Sequence, residues 1–525
     1  MGNVMDIFNP TAIGDICNAR GLGSQEREQL SRLITLWQSK LPNNRLRNDF
    51  YHMHVNVENI GIAISPEFAS ILNASCGWPA KSVDMLAQRS VPDGFKLESG
   101  RHVPDIDRIM RDNNFYYKYP MAATSELMHS TMAWTLSRGR VGKSNVRIKS
   151  HSAETAAMIW DGGEERIECG FAIIESNPIT RGSLTKVPTV VNLYTAESTV
   201  VLKRSIIAGT IDKWSAEYVR NPMGRPLMEP MSFSPSMTRP FGKSRISRAV
   251  MSITMSKLRE DMRTEMSAEF NTTPQKYLLG ADEEAFDMDR YKAYCGNLFI
   301  TNRDEEGELP EFGQLPQVSF QPHMDYVRSL AAQFSGETSI PISSLGVIHD
   351  NPASAEAINA CERDMVQLAE SLNNTNGESL RNVALMALAI DRGIGVSIDD
   401  LTDEELSLMV DWHDPAMPNI ASTADAWVKI ASAPGAEWIA QTEEYLEGMN
   451  IPRAKRASML AQKRQIDGRA YITDVVEGNI GNSTSSVNSE IYNGTQVERT
   501  GGERVRIEGA GGSDEETGSN GSIIA

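Results

Sequence analysis

Two amphipathic segments, separated by a short break, lie between Gln321 and Leu372. The first has Pro322 at a first-turn position and Gly336 at its end, and these residues start and stop a helix at little energetic cost. Its apolar residues share one face at helical spacing: Val327, Leu330, Ala331 and Phe334. The sequence therefore predicts a helix from Gln321 to Gly336.

The break between the two segments has the sequence Ile-Pro-Ile-Ser-Ser-Leu-Gly and cannot stay helical through Pro341 and Gly346. After it, Asp350 or Asn351 can cap a second helix whose first turn contains Pro352. The second helix repeats apolar residues three and four apart: Ile358, Cys361, Met365, Leu368 and Leu372. This spacing predicts packing against a neighbouring helix. From these residues alone, the break is an ordinary helix connection as readily as a functional loop.

Three other motifs stand out along the chain. Trp-Pro-Ala-Lys-Ser-Val-Asp-Met-Leu-Ala-Gln-Arg, which starts at Trp78, predicts a short helix introduced by Pro79. Phe-Gly-Lys-Ser-Arg-Ile-Ser-Arg, which starts at Phe241, opens a long helix candidate that ends at Phe270. Trp-His-Asp-Pro, which starts at Trp412, predicts a turn.

The order of these motifs resembles the portal proteins of tailed double-stranded DNA bacteriophages, in particular the siphophage family. The segment from Gln321 to Leu372 resembles a stem helix, a tunnel loop and a long wing helix, and the Trp78 motif resembles a wing signature. The resemblance spans residues 30–465. It implies a mainly helical α+β portal fold, with wing, stem, clip and crown, that assembles as a ring.

The resemblance also implies a division of the chain into domains. The expected ranges are wing 1–243, first stem helix 244–271, clip 272–320, second stem helix 321–340, tunnel loop 341–353, long helix and remainder of the wing 354–420, and crown 421–466. Residues 467–525 are rich in Gly, Ser, Asn and Thr and include an acidic run at Asp514, so we expect a disordered acidic tail.

The family function that follows is a twelve-subunit channel at one capsid vertex, through which DNA enters during packaging, is retained, and later leaves. The implied partners are other copies of the chain, the terminase large subunit, a head–tail adaptor, the major capsid and scaffolding proteins, and double-stranded DNA bound without sequence specificity. The implied location is the virion, and the host cytoplasm during assembly.

Two groups of residues are the candidate sites under this resemblance. The tunnel-loop residues expected to face DNA are Ser343, Ser344, His349, Asp350 and Asn351. The clip residues expected to dock partners are Phe299, Asp304, Glu305, Glu306 and Phe312. Hydroxyl, imidazole and carboxamide groups without several lysines make brief contacts with phosphates and do not hold DNA fast.

The net charge of −18, from 51 basic and 69 acidic residues, also argues against a DNA clamp. Tight binding to DNA needs clustered cations that displace counterions from phosphates. A channel lined by acidic and hydroxyl groups leaves no deep electrostatic minimum in which a moving duplex would stop. The charge therefore fits a conduit better than a clamp.

Several other classes of protein lack support in the sequence. No apolar run is long enough to span a bilayer, and the N-terminus lacks the pattern of a signal peptide, so we expect no membrane contact. The five cysteines form no Cys-x-x-Cys pair, and nothing near His52 and His54 completes a metal site. We therefore expect no cofactor and no metal.

Two Gly-Lys-Ser sequences, at Gly142 and Gly242, resemble the end of a nucleotide-binding loop. That loop needs a glycine five positions earlier, and Ser137 and Met237 stand there. We therefore expect no ATP site and no enzyme activity. The alternatives are a phage DNA-processing or nucleotide-hydrolysing enzyme, another head structural or packaging-associated protein without a DNA channel, and a portal variant with a different subunit number.

Local patterns predict further elements. They are a helix from Ser24 to Leu41 with a second after Pro42, a helix from Met121 to Arg138, an antiparallel sheet between Val146 and Arg220, a loop from Asn221 to Pro240, a helix interruption from Asn373 to Glu378, a capping box at Thr402 and Glu405, and two or three helices from Thr423 to Gln465.

Overall fold

The computed structural model is a mixed α/β protein, with 51% helix and 24% strand, which agrees with the predicted α+β class. It describes residues 13, 15–57, 74–178, 186–207, 210–272, 276–279, 311–314, 319–347, 355–416, 420–449, 451, 455–456 and 458–466. The chain divides into two compact units, Met1–Pro418 and Asn419–Ala525. Each unit is described by itself.

Helix α1 runs without a break from Ser24–His52, although the sequence predicted two helices on either side of Pro42. A proline inside a helix removes one backbone hydrogen bond, and here it lies on the exposed side of α1. The opposite side is held by buried residues before and after it, among them Trp37, Leu41 and Asn44. Packing of that side keeps the helix continuous.

The predicted antiparallel sheet is confirmed and has five strands in the order β4-β5-β6-β7-β8. Its strands are β4 Ala156–Asp161, β5 Arg166–Pro178, β6 Lys186–Tyr194, β7 Ser198–Ile207 and β8 Thr210–Arg220. Helix α1 packs on this sheet, and the rings of Trp37 and Phe171 meet edge to face with centroids 5.8 Å apart.

A second, three-stranded sheet has the order β3-β2-β9 and corrects two predictions. Its strands are β2 Thr131–Val141, β3 Ser144–Ser152 and β9 Met228–Ser232. The expected helix Met121–Arg138 is wrong in its second half, because that helix ends at His129 and Ser130 takes φ +87°. The expected loop Asn221–Pro240 contains β9, which pairs with β2. Residues 132–136 are all buried, as in a strand covered on both faces.

The helices of the larger unit surround these sheets. They are α2 Trp78–Ala87, α3 Pro104–Asp112, α4 Phe115–His129, α5 Arg248–Thr272, α6 Gln321–Thr338, α7 Ala355–Arg392 and α8 Asp403–Leu406. In α7 the side chains of residues 383–390 are all buried. A helix that is apolar on every side lies inside a core, and the neighbours of α7 include β2, β3, β9 and α3.

The interruption predicted at Asn373–Glu378 does not occur, and α7 continues through it. The reason is that the two asparagines that suggested a break are buried side chains inside the core. Asn376 donates from Nδ2 to Oε2 of Glu126 on α4 at 2.9 Å. Tertiary contact therefore overrides the weak helix propensity of asparagine.

Helices α5 and α6 form the antiparallel pair expected for the stem. Ser247 lies beside Glu337 at one end, and Glu260 lies beside His323 farther along. The buried face of α5 repeats every four residues: Val250, Thr254, Leu258 and Met262. Helix α6 continues past the predicted end at Gly336 to Thr338, and Ser339 with φ +57° stops it.

One pairing was not predicted. Strand β1, Pro92–Leu97, pairs antiparallel with β12, Leu408–Trp412, which lies more than 300 positions later in the chain. The predicted capping box precedes β12 and is confirmed, because Thr402 and Glu405 exchange side-chain and backbone hydrogen bonds at the start of α8. A two-stranded sheet of β10, Lys276–Leu279, and β11, Glu311–Gln314, lies within the range expected for the clip.

The smaller unit contains helices α9 Ile420–Ala431 and α10 Glu443–Gly448, a 3-10 helix Glu437–Gln441 and helical residues 458–466. The rings of Trp427 and Tyr445 meet edge to face at 6.1 Å. In neither unit does a helix within the described ranges have the length and apolarity needed to cross a membrane.

A buried carboxyl group lies where α4 meets α7. Glu126 is fully buried, and its Oε1 and the Asn376 Oδ1 have no hydrogen-bond partner among the described atoms. Burial raises the pKa of Glu126 to about 8. A protonated Glu126 supplies one O–H donor for the unpaired Asn376 oxygen, so the neutral acid suits this core.

We predict that Glu126→Gln removes a pH dependence of stability. The pKa of Glu126 is higher in the folded chain than the usual 4.5, so the folded state binds the proton more tightly. The contribution of Glu126 to the free energy of unfolding should then be greatest below pH 4.5 and fall until about pH 8. The Gln variant should be more stable at pH 8 by about 2–4 kcal/mol and should lose this slope. Urea unfolding at several pH values measures both effects.

The matched control is Glu98→Gln, which makes the same change on an exposed side chain. It should leave the pH profile as in the parent protein. Equal profiles for both variants would contradict a neutral Glu126 in the core.

Candidate functional site

Three of the motifs that carry the family resemblance meet in space. We call this place the stem junction, formed by Trp78 and Ser82 of α2, Arg245 before α5, Thr338 at the end of α6, and Leu345 of the 3-10 helix Ile342–Leu345. These residues are up to 267 positions apart in the sequence. The junction therefore ties the start of α5 and the end of α6 to α2.

Trp78 is the apolar part of the stem junction. Its indole Nε1 donates to the carbonyl oxygen of Leu345 at 3.3 Å. Its ring packs against Phe334 of α6 with centroids 5.3 Å apart, and the ammonium group of Lys257 lies 5.7 Å from the ring centroid. One side chain of α2 thus contacts α5, α6 and the turn that follows α6.

Arg245 is the polar part of the stem junction. Its Nε donates to the Ser82 carbonyl at 3.0 Å and its second amino group donates to the Thr338 carbonyl at 2.8 Å. The side chain is only 7% exposed, and burial lowers its pKa to about 10, so it stays protonated at neutral pH. The last carbonyls of a helix have no partner within the helix and carry partial negative charge. Arg245 therefore caps α6 with a cation.

The segment before α5 is also held at both ends. The Ser244 hydroxyl donates to the Met128 carbonyl at the end of α4, at 2.5 Å. Ser247 donates from its hydroxyl to the Glu337 carboxylate at 2.8 Å and accepts from the Val250 backbone N–H at 3.2 Å. The second bond places Ser247 as the N-cap of α5. The start of α5 is therefore fixed against α4 and α6.

Only part of the expected DNA-facing loop falls in the described ranges. Ser343 and Ser344 lie in the 3-10 helix next to the stem junction, where Ser343 is exposed and Ser344 is half-exposed. Buried Ile340 and Leu345 anchor this turn on both sides. His349, Asp350 and Asn351 lie outside the described residues. The two serines are thus adjacent to a rigid anchor, and the role of all five residues stays a prediction.

The expected partner-docking residues of the clip fall largely outside the described ranges. These are Phe299, Asp304, Glu305 and Glu306. Phe312 lies in β11, and its backbone is paired with Leu278 of β10. The role of all five residues therefore stays a prediction.

A link between the stem helices was not predicted. Glu260 of α5 is only 3% exposed, and its carboxylate contacts Nδ1 of His323 on α6 at 2.6 Å and the Arg263 guanidinium at 3.3 Å. A buried carboxylate needs such partners to offset its desolvation. The residue types gave no signal, because the partners are 63 positions apart.

Both Gly-Lys-Ser sequences serve internal contacts. At the first, the Asp112 carboxylate accepts hydrogen bonds from the backbone N–H of Lys143 and of Ser144 and from the Ser144 hydroxyl, at 2.9–3.1 Å. These bonds hold the pKa of Asp112 below its usual range. The loop thus binds an anion, and the anion is a side chain of the same chain.

In the second Gly-Lys-Ser sequence, the lysine is Lys243. Its backbone N–H donates to the Phe233 carbonyl at 2.9 Å. A side chain at Gly242, which has φ +65°, would collide with that carbonyl oxygen. This glycine therefore allows close backbone packing.

We predict that Arg245→Met destabilises the larger unit by about 2–4 kcal/mol, because the Thr338 carbonyl loses a charged donor in a buried place. Arg248→Met is the matched control, since Arg248 is exposed one turn later. It should cost less than about 0.5 kcal/mol. Urea unfolding measures the difference. Equal losses in the two variants would show that Arg245 does not hold the junction.

No family model matches the chain. Two curated proteins are similar to it. The portal protein of Mycobacterium phage D29 is 24% identical over 408 residues, which span 76% of this chain and 81% of that protein. The portal protein of Mycobacterium phage L5 is 25% identical over 402 residues, which span 73% of this chain and 77% of that protein.

Among solved structures, the neck of a native gene transfer agent particle, computed with C12 symmetry, covers 71% of this chain and 90% of its own, with 12% identity and a TM-score of 0.38. The neck of the empty particle, computed with C6 symmetry, covers 74% of this chain and 95% of its own, with 11% identity and a TM-score of 0.39. TM-scores below 0.5 do not establish a common fold. The two sequence relatives confirm the resemblance that the motifs predicted: over about 75% of its length, the chain is similar to phage portal proteins.

Proposed function

We propose that the chain is the portal subunit of a tailed phage. In this proposal twelve copies form a ring at one capsid vertex, and DNA passes through the ring during packaging and ejection. The observation that carries the proposal is the match to two proteins named portal protein, over 73% and 76% of the chain. The role is structural, and we expect no catalysis.

The stem junction supports this function physically. A channel subunit needs stiff helices whose position does not change as DNA moves past them. Here α5 and α6 are joined by the Glu260–His323 contact and are fixed to the wing through Arg245 and Trp78. A site held by packed elements stays in place better than one held by loops.

The proposed DNA-facing surface is the turn that begins at the stem junction. Ser343 is exposed there and Ser344 is half-exposed, and neither carries charge. Repeated around a ring, hydroxyl groups offer phosphates exchangeable hydrogen bonds without the counterion release that makes DNA binding tight. In this proposal His349, Asp350 and Asn351 continue the same surface.

The proposed docking surface for the terminase large subunit and the head–tail adaptor is the clip, within residues 272–320, with Phe299, Asp304, Glu305, Glu306 and Phe312 as contact residues. In the chain it connects α5 and α6 at the ends of these helices opposite Ser247 and Glu337, which supports this assignment. Capsid and scaffolding proteins are the further expected partners, in the virion and during assembly.

We predict that the purified full-length protein forms closed rings with a central hole. Negative-stain electron microscopy with views along the ring axis gives the subunit number, and twelve is expected. A compact monomer without a hole would contradict the proposal. Closed rings with a different number of subunits would support the channel proposal and correct the expected subunit number. ATP hydrolysis by the purified protein would favour a packaging enzyme instead.

We predict that replacing both Ser343 and Ser344 by lysine slows DNA release from assembled particles by about threefold or more in low salt. Each lysine adds a phosphate contact that releases a counterion, so the effect should fall steeply as salt rises. Release is measured as dye-accessible DNA over time. The control replaces both serines by alanine, which removes the hydroxyls without adding charge.

The alanine pair should release DNA at nearly the parent rate. If the lysine and alanine pairs release DNA equally at all salt concentrations, this turn does not face DNA. Particle assembly, checked by microscopy, separates that result from a failure to form the ring.

A further inference from the structure

A surface cavity of about 480 Å³ lies in the larger unit, away from the stem junction. Its walls come from α1, from the first residues of β2, from β4 and from residues 238–242. The volume is in the range of sites that hold small ligands or short peptide segments. Nothing in the proposed channel function uses this cavity.

The charge of the cavity differs from that of the chain as a whole. Three lining residues are basic, namely Lys40, Arg47 and Arg239, and none of the described residues that line the cavity is acidic. The whole chain has 69 acidic and 51 basic residues, so acidic residues are in excess overall, whereas the described lining of the cavity has three cations and no acid. A concave positive surface attracts anionic groups.

The three cations have no carboxylate partner in the described ranges. Arg47 is nevertheless held in place, because its guanidinium donates to the His129 carbonyl at 3.0 Å and to Asn44 Oδ1 at 3.4 Å. Burial lowers the pKa of Arg47. Lys40 and Arg239 are exposed at the rim. The cavity therefore offers one fixed cation inside and two mobile cations at its opening.

His129 also lines the cavity and adds no charge to it. The side chain is 5% exposed, and its Nδ1 lies 3.3 Å from the Ser125 hydroxyl. Burial and the Arg47 charge lower its pKa to about 4, so the ring is neutral at pH 7. The positive charge of the cavity therefore comes from Lys40, Arg47 and Arg239.

The spacing of the cations indicates the kind of anion. Lys40 and Arg47 are seven residues apart on α1, and a helix rises 1.5 Å per residue, so their Cα atoms are about 10 Å apart. Two acidic side chains four residues apart in an extended peptide point to the same face about 13 Å apart, within reach of two long cationic side chains, and the side chain midway between them points to that face as well. A DNA duplex is too wide to enter a cavity of this size.

Part of the remaining wall is apolar and suits a side chain between two acids. Leu36 lies on the α1 side, Met132 and Met158 on the strand side, and Phe241 on the segment that leads to α5. A peptide that carries both acidic and apolar groups can therefore pair its charges at the rim and bury an apolar side chain between them.

We propose that this cavity binds an acidic peptide segment of a partner protein, with carboxylates on Lys40, Arg47 and Arg239 and an apolar side chain inside. The surface is a docking site on the wing, separate from the DNA channel and from the clip. It does not depend on ring formation, so its test and the test of the portal function can fail independently.

The test is a selection of binders from a random library of twelve-residue peptides on the full-length protein. Enriched peptides should carry two Asp or Glu residues about four positions apart with an apolar residue midway between them. Synthetic copies with a neutral dye are then titrated by fluorescence anisotropy, and versions with Gln or Asn in place of the acids should bind at least about tenfold more weakly.

The Lys40→Ala, Arg239→Ala double variant removes the two rim cations without touching a buried side chain. It should weaken peptide binding about five- to tenfold, as expected for two partly exposed ion pairs. Arg27→Ala is the matched control, because Arg27 is exposed on the same helix and does not line the cavity. It should bind peptides as the parent does. Thermal unfolding confirms that both variants are folded.

Three results would overturn the proposal. They are enriched peptides without acids, equal binding by the rim and control variants, and displacement of the peptides by a single-stranded oligonucleotide at lower concentration than by the free peptide. The last result would assign the cavity to nucleic acid. Binding of a small dicarboxylate as tight as that of the peptides would assign it to a small molecule.

Discussion

The buried guanidinium of Arg245 is the interaction on which the arrangement of the larger unit depends. One planar cation donates to carbonyls of α2 and of α6, and its own backbone N–H donates to Leu127 of α4. Lysine has one donor group on a flexible stem and could not hold two carbonyls in fixed directions. Burying the guanidinium charge costs free energy. The charge lies, however, at the C-terminal end of α6, where the partial negative charge of the helix favours a cation. Three helices and the start of α5 thus share one fixed point.

Two elements near Arg245 differ in how firmly they are held, namely helix α7 and the 3-10 turn that follows α6. Residues 383–390 of α7 are all buried, and α7 packs against both β2 and β9, so it lies in the core of the larger unit. The 3-10 turn with Ser343 and Ser344 is attached to this core through Ile340, Ile342 and Leu345 and through the Trp78 indole. A short turn between such anchors keeps its position but can adjust its exposed groups.

Sequence reasoning found the elements whose pattern is local. The α5 stripe, the antiparallel sheet and the Thr402 capping box follow from spacing and caps, and the structure has them. It failed where distant contacts decide. Pro42 stays inside α1, and Asn376 stays inside α7, because partners far along the chain hold them. The pairing of β1 with β12 could not be predicted, because nothing in the sequence of either strand identifies the other as its partner.

Sequence reasoning also missed the basic cavity, because the total charge of a chain does not give its local charge. The net charge of −18 predicts a surface that repels DNA, yet the fold forms a cavity with three cations and no acidic residue among the described lining residues. Lys40 and Arg47 lie two turns apart on α1, whereas Arg239 is distant in the sequence and comes near them only in the folded chain. Local sign matters more for binding than the total, because salt screens exposed charges more than about 10 Å apart. In the two proposals, the acidic chain keeps DNA mobile in a channel and still offers acidic partners a positive site beside α1.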